Sequence, residues 1–145
     1  MSHAVTVAIN LDKEMLGRHG VSIAPGWVAN RDLPKCTDLV AELGGRHLIK
    51  YIRSDDLNKF SKLSRVKYFS GEHYLTPTVV CRPELPEVLA LPPYKVPDYA
   101  LFLDPAKLDA VGPRHVRGGS GIEYVLLDGF SVDAIVEPGW AVKIG

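Results

Sequence analysis

The residue best placed for chemistry is Glu123. It follows Gly118-Gly119-Ser120-Gly121-Ile122 and opens the run Tyr124-Val125-Leu126-Leu127. Glycines let a backbone come close to a ligand, and the apolar run behind them reads as a strand, so one carboxylate stands where a loop could close on a bound molecule. Other chemistries find less support. The five histidines, His3, His19, His47, His73 and His115, are scattered rather than set at ligand spacing, and no metal site is expected. Cys36 and Cys81 lack the paired spacing of a zinc site and form no disulfide framework, so both are expected to pack as small hydrophobes. A nucleophile pair of Cys81 with His47 or His73 would need an activated thiol, and nothing near it in the chain supplies one. GxGxxG, P-loop, HExxH and GxSxG signatures are absent.

The elements that must position Glu123 can be read from patterning. Leu48 begins a strand over 48–53, and Ser54-Asp55-Asp56 caps a helix reaching about residue 63. Strands are expected over 66–69 and 74–80, joined by the turn Ser70-Gly71-Glu72. Pro83 suits the first turn of a short helix over 83–91, and Pro86 prevents a long one. An apolar strand over 99–103 and a helical turn opened by Asp104-Pro105 precede a loop over 112–121. The strand over 122–127 and a last strand over 140–144 complete the reading. Upstream, a strand over 4–9, a helical turn over 11–16 and an irregular stretch over 19–34 precede a short helix over 37–43, with Thr37 as its cap and Gly44-Gly45 as its stop.

At 145 residues with 46% hydrophobic content, the chain is long enough for one domain with a core and too short for two ordinary ones. A single domain over 1–145 is expected, with 1–45 as an N-terminal extension to a core over 46–145. Short strands mixed with short helices, without βαβ alternation, predict an α+β fold with a largely antiparallel sheet. Lys plus Arg equals Asp plus Glu at 17 each, which disfavours bulk nucleic-acid binding and leaves room for a local basic patch. No run is apolar enough to span a bilayer, so a soluble polypeptide without a membrane partner is expected.

Three segments together resemble a family. Leu48-Ile49-Lys50-Tyr51-Ile52-Arg53-Ser54-Asp55-Asp56-Leu57 is similar to the first strand and capped helix of small bacterial toxin domains in the ADP-ribosyltransferase and NAD glycohydrolase superfamily. Tyr74-Leu75-Thr76-Pro77-Thr78, followed by Leu89-Ala90-Leu91-Pro92, resembles the second segment, an aromatic-hydroxyl strand before a proline-bounded helix. The glycine loop with Glu123 resembles the third. The resemblance covers about 46–145 and implies the split, mainly antiparallel sheet of that fold. Many transferring members carry Glu or Gln two residues before the catalytic Glu, where this chain has Gly121.

The resemblance implies that NAD is the substrate. Glu123 would be the catalytic carboxylate, stabilising the oxocarbenium-like state as the nicotinamide–ribose bond breaks and accepting a hydrogen bond from the ribose 2′-hydroxyl. Tyr74 or Tyr51 would stack on nicotinamide, Thr76 or Thr78 would orient the cofactor, and the backbone at Gly119 would approach it. A basic residue of the first strand would neutralise the diphosphate. Alternation puts Lys50 and Arg53 on opposite faces, and Arg53 is preferred for its planar fork, with Arg65 in reserve.

The implied function is NAD consumption by a toxin-type enzyme, transferring ADP-ribose to a macromolecular acceptor or to water, with a cognate immunity protein as a further partner. Such a domain would be secreted or delivered into a target cell within a larger protein. Two alternatives stand beside it. A metal-independent ribonuclease toxin would gather histidines into one cleft. A non-enzymatic binding or immunity module would carry an exposed apolar patch and no polar cleft. The discriminator is whether Glu123, Arg53 and Tyr74 share one pocket.

Overall fold

The computed structural model describes residues 28–55, 68–136 and 142–144. Its regular elements are α1 (Leu39–Leu43), β1 (Leu48–Ile52), β2 (Tyr68–Phe69), β3 (His73–Leu75), α2 (Leu85–Leu89), β4 (Tyr99–Leu103), β5 (Ala110–His115), β6 (Ile122–Leu126), β7 (Phe130–Ser131) and β8 (Val142–Lys143). The expected elements over 4–9 and 11–16, and nearly all of the helix over 54–63, lie outside the described residues. Arg65 does too.

Local chemistry accounts for the short helices. Asp38 caps α1, its carboxylate accepting from the Ala41 N–H at 3.1 Å, one residue after the expected Thr37. Gly44 stops the helix in the left-handed region at φ 59°. A 3₁₀ turn, Arg82–Glu84, leads into α2, with Pro86 in its first turn.

The strands form three small sheets, ordered β1-β4-β8, β3-β6-β5 and β2-β7, and every ladder is antiparallel. The fold is therefore α+β with mostly antiparallel sheet. Two expectations need correction. The segments over 66–69 and 74–80 do not form a hairpin, because β2 pairs with β7 while β3 pairs with β6. The loop expected over 112–121 is half strand: β5 runs through Gly112-Pro113 by means of a bulge. Ala110 and Val111 face Leu126 and Val125, whereas Arg114 and His115 face Glu123 and Ile122, so the register slips by one residue across the glycine and proline.

The main core draws on both larger sheets and on the segment before them. Leu39 and Leu43 of α1 pack with Leu48 and Ile52, Leu101 and Leu103, and Tyr124 and Leu126. Leu33 packs with Val111 and Val125 on the other face of the β3-β6-β5 sheet. Each such leucine contributes about 1.5–3 kcal/mol by leaving water. Leu33, Leu39 and Leu43, within the stretch expected to be an N-terminal extension, thus supply part of the core. Among the described residues no helix is long and apolar enough to cross a membrane.

Candidate active site

The site arises where β3 changes partner. Its residues His73, Tyr74 and Leu75 lie opposite Leu126, Val125 and Tyr124 of β6. Continuing that register would bring Thr76 opposite Glu123. Thr76 instead turns its backbone to β1, donating to Ile49 O at 3.0 Å and accepting from Ile49 N at 2.8 Å. Ile49 and Thr76 form an isolated bridge, and β1 and β6 belong to different sheets. A cleft of about 310 Å³ opens there, lined by Lys50 and Tyr51 of β1, Tyr74 and Thr76, Glu123, and the apolar Leu89 and Leu91.

Side-chain alternation brings Tyr74 and Glu123 to one face. Tyr74 stands across from Val125, and Glu123 shares the Val125 face two residues earlier, so the two are diagonal neighbours. Tyr74 is half exposed, and its hydroxyl accepts from Asn30 Nδ2 at 2.9 Å. Glu123 is held from β5: Arg114 Nε donates to its Oε1 at 2.8 Å, with the arginine side chain 3% and the glutamate side chain 14% exposed. The bulge in β5 makes this pairing, because an unbroken register would set Pro113 opposite Glu123. Arg114 Nη1 also donates to Val28 O, tying the N-terminal segment to the site.

Comparison with known protein families, with curated proteins and with solved structures finds no match. The reading of the site therefore rests on its own geometry.

That geometry gathers Glu123, Tyr74, Thr76 and Tyr51 on one cleft and leaves Arg53 out, so the single pocket expected for Glu123, Arg53 and Tyr74 does not form. Arg53 lies past the end of β1 on a separate cleft of about 540 Å³ with Arg82, Tyr94 and Asp98, and pairs with Asp55 at 2.7 Å. Lys50 lines the Glu123 cleft in its place. Only one of the two basic residues reaches the cleft, as alternation required, but it is Lys50: Arg53 lies beyond the end of β1, and the preference for its planar fork gave the wrong one.

Three other candidates are committed to packing. Tyr51 is a brace: its hydroxyl accepts from Val80 N at 2.9 Å and donates to Thr78 O at 3.0 Å, and burial pushes its pKa up to about 12. Thr76 is 2% exposed, and its hydroxyl accepts from Thr78 N at 3.2 Å. Gly119 meets protein rather than ligand, since a Cβ there would fall 2.4 Å from Val88 O. The glycine loop closes the C-terminal end of α2, with Ser120 N donating to Glu87 O and Gly121 N to Val88 O.

Among the described residues the histidines do not gather. His47 packs edge-on to Phe102 and His73 to Phe130, and neither lines a cleft with Glu123. Among the described residues no group of His, Cys, Asp or Glu could hold a metal ion. Arg114 is the residue that the sequence reading missed. Its signal was the weak one of a basic residue two positions past the glycine of a Gly-Pro pair that reads as a breaker.

Proposed function

We propose that the protein consumes NAD, breaking the nicotinamide–ribose bond with Glu123 as its catalytic carboxylate. One observation carries the reading: Glu123, Tyr74 and Lys50 share a cleft that also has an apolar wall of Leu89 and Leu91. Nicotinamide stacks on Tyr74, and Lys50 rather than Arg53 neutralises the diphosphate. Arg114 holds Oε1 of Glu123, and Oε2 serves the ribose. As the C1′–N bond breaks, its electron pair leaves with nicotinamide, which departs neutral, and the carboxylate offsets the positive charge spread over C1′ and the ring oxygen. Water or another nucleophile then bonds to C1′ and sheds its proton.

The change of partner by β3 is compatible with the split sheet of ADP-ribosyltransferase-like toxins, and delivery as part of a larger toxin, with an immunity protein as antagonist, fits the same reading. Position 121 bears on transfer. A Cβ on Gly121 would fall 2.7 Å from Val88 Cγ1 and 3.0 Å from Val88 O, so α2 leaves no room for the Glu or Gln that transferring members carry there. Hydrolysis, or transfer with the acceptor recognised elsewhere, is the consistent outcome. Incubation with NAD, following free nicotinamide with and without protein or nucleic-acid acceptors, tests the proposal. Release of nicotinamide supports it, and an intact NAD pool at micromolar enzyme contradicts it.

A further inference from the structure

Glu123 lines a second, wider cleft. Of about 600 Å³, it shares Tyr74, Leu89 and Glu123 with the first and continues from them toward Arg31, Arg114 and Arg117. Three arginines thus converge from separate segments: a turn before α1, β5, and the turn after β5. Arg114 is buried and pairs with Glu123; Arg31 and Arg117 are exposed residues of the cleft lining. Two carboxylates, Glu72 and Glu123, share the cleft, and Asn30 Nδ2 donates to Glu72. The balance is one positive charge, in a chain whose formal net charge is zero. Tyr74, half exposed, lines the same cleft as the arginines and Glu123.

We infer that this wider cleft binds a single-stranded polynucleotide as the acceptor of ADP-ribose. Cations that follow a phosphodiester backbone, next to an exposed ring on which a base stacks, are the elements of single-strand recognition without sequence preference; Tyr74 lines both clefts, so the base takes the side of the ring that nicotinamide does not. Exposed arginine forks match phosphate oxygens in pairs. An acidic protein segment would use the same cations but has no use for the exposed ring that lines the cleft with them. The acceptor role rests on the NAD reading: two substrates must meet at one carboxylate, and Glu123 is the wall common to both clefts. In the step, a base nitrogen bonds to C1′ as the C1′–N bond to nicotinamide breaks, the bonding pair leaves with nicotinamide, and the acceptor nitrogen gives its proton to Glu123 or water. With Gly121 unable to carry a side chain, the arginines take over the positioning of the acceptor.

The test has two arms, both on the full chain. In the first, a fluorescent single-stranded oligonucleotide of about ten nucleotides is titrated without NAD, and anisotropy gives its affinity across a salt series. Arg31→Glu with Arg117→Glu should weaken binding at least tenfold and flatten the slope of log affinity against log salt by about 1.4, at about 0.7 per phosphate contact for a single strand. Lys35→Glu with Lys143→Glu makes the same charge change on other exposed residues and should leave the affinity within twofold of wild type. Equal weakening by both double variants, or wild-type binding too weak to measure at millimolar protein, would overturn the site. In the second arm, labelled ADP-ribose should appear on the oligonucleotide with wild type and be lost in the arginine variant, while nicotinamide release to water continues. Label on protein instead of oligonucleotide overturns the acceptor class. The two readings fail separately: oligonucleotide binding without nicotinamide release removes the NAD reading and keeps the site, and release without binding does the reverse.

Discussion

Arg114 and Glu123 form a buried ion pair, Nε to Oε1 at 2.8 Å, between β5 and β6. The pair fixes the carboxylate at the border of two clefts. Removing one partner leaves the other charge buried, which costs about 3–5 kcal/mol. Arg114→Ala should therefore lower the stability to urea by that amount, whereas Arg53→Ala, at an exposed pair with Asp55, should change it by less than about 1 kcal/mol. Equal losses would show that the Arg114 pair is not the internal clamp described.

Lys50 and Arg53 separate by function. Lys50→Ala should raise KM for NAD about tenfold or more with a smaller effect on kcat, since it removes one charged contact worth roughly 1.5–3 kcal/mol. Arg53→Ala should leave both within about twofold. Steady-state kinetics on the two variants decide between them, and the opposite pattern would return the diphosphate to the Arg53 cleft.

The glycine loop is built for α2. Gly119→Ala places a methyl 2.4 Å from Val88 O and should cost about 1–3 kcal/mol, read as a lower melting temperature. Ser120→Ala, beside it, should cost nothing or raise the melting temperature, because Ser120 Oγ is buried with no hydrogen-bond partner among the described residues. Tolerance of Gly119→Ala would mean that the loop does not pack on the helix.

The thiols and buried phenols predict alkaline behaviour. Burial, with Glu42 beside it, pushes Cys36 up to about 12, while Cys81 is exposed. Alkylation at pH 8 read by mass spectrometry should label Cys81 and spare Cys36 in the native protein. Cys36 and Tyr51 both have raised folded-state values, from 9.0 and 10.0 to about 12, and burial raises Tyr124 further. Their contribution to stability is whole below about pH 9 and is lost as pH rises toward 12, because the unfolded chain ionises first. The urea midpoint should fall steadily over that window, and a flat profile would contradict the burial of these groups.

What the sequence revealed and what it hid divide along physical lines. Apolar runs such as 48–52, 99–103 and 122–126 read correctly as strands, because pattern and propensity agree there. The cap of α1 was legible to within a residue, for its chemistry is local. Strand pairing was not legible: β2 and β3 are close in sequence, and only long-range packing sends them to different sheets. Arg114 was hidden behind Gly112-Pro113, whose breaker character masks a bulged strand. Glu123, Tyr74 and Tyr51, named from the resemblance, line one cleft. Alternation left Lys50 and Arg53 as alternatives, and Arg53 was preferred for its planar fork, a chemical preference that does not say where β1 ends.

The central claim is that Glu123 breaks the nicotinamide–ribose bond. Glu123→Gln tests it most directly, because the amide oxygen can still accept from Arg114 while the negative charge is gone. Nicotinamide release from NAD should fall by about 10²–10³ or more, the usual effect of removing one electrostatic contact to the transition state, in a protein that urea unfolding and circular dichroism show to be folded. Release at the wild-type rate from folded Glu123→Gln would contradict the account.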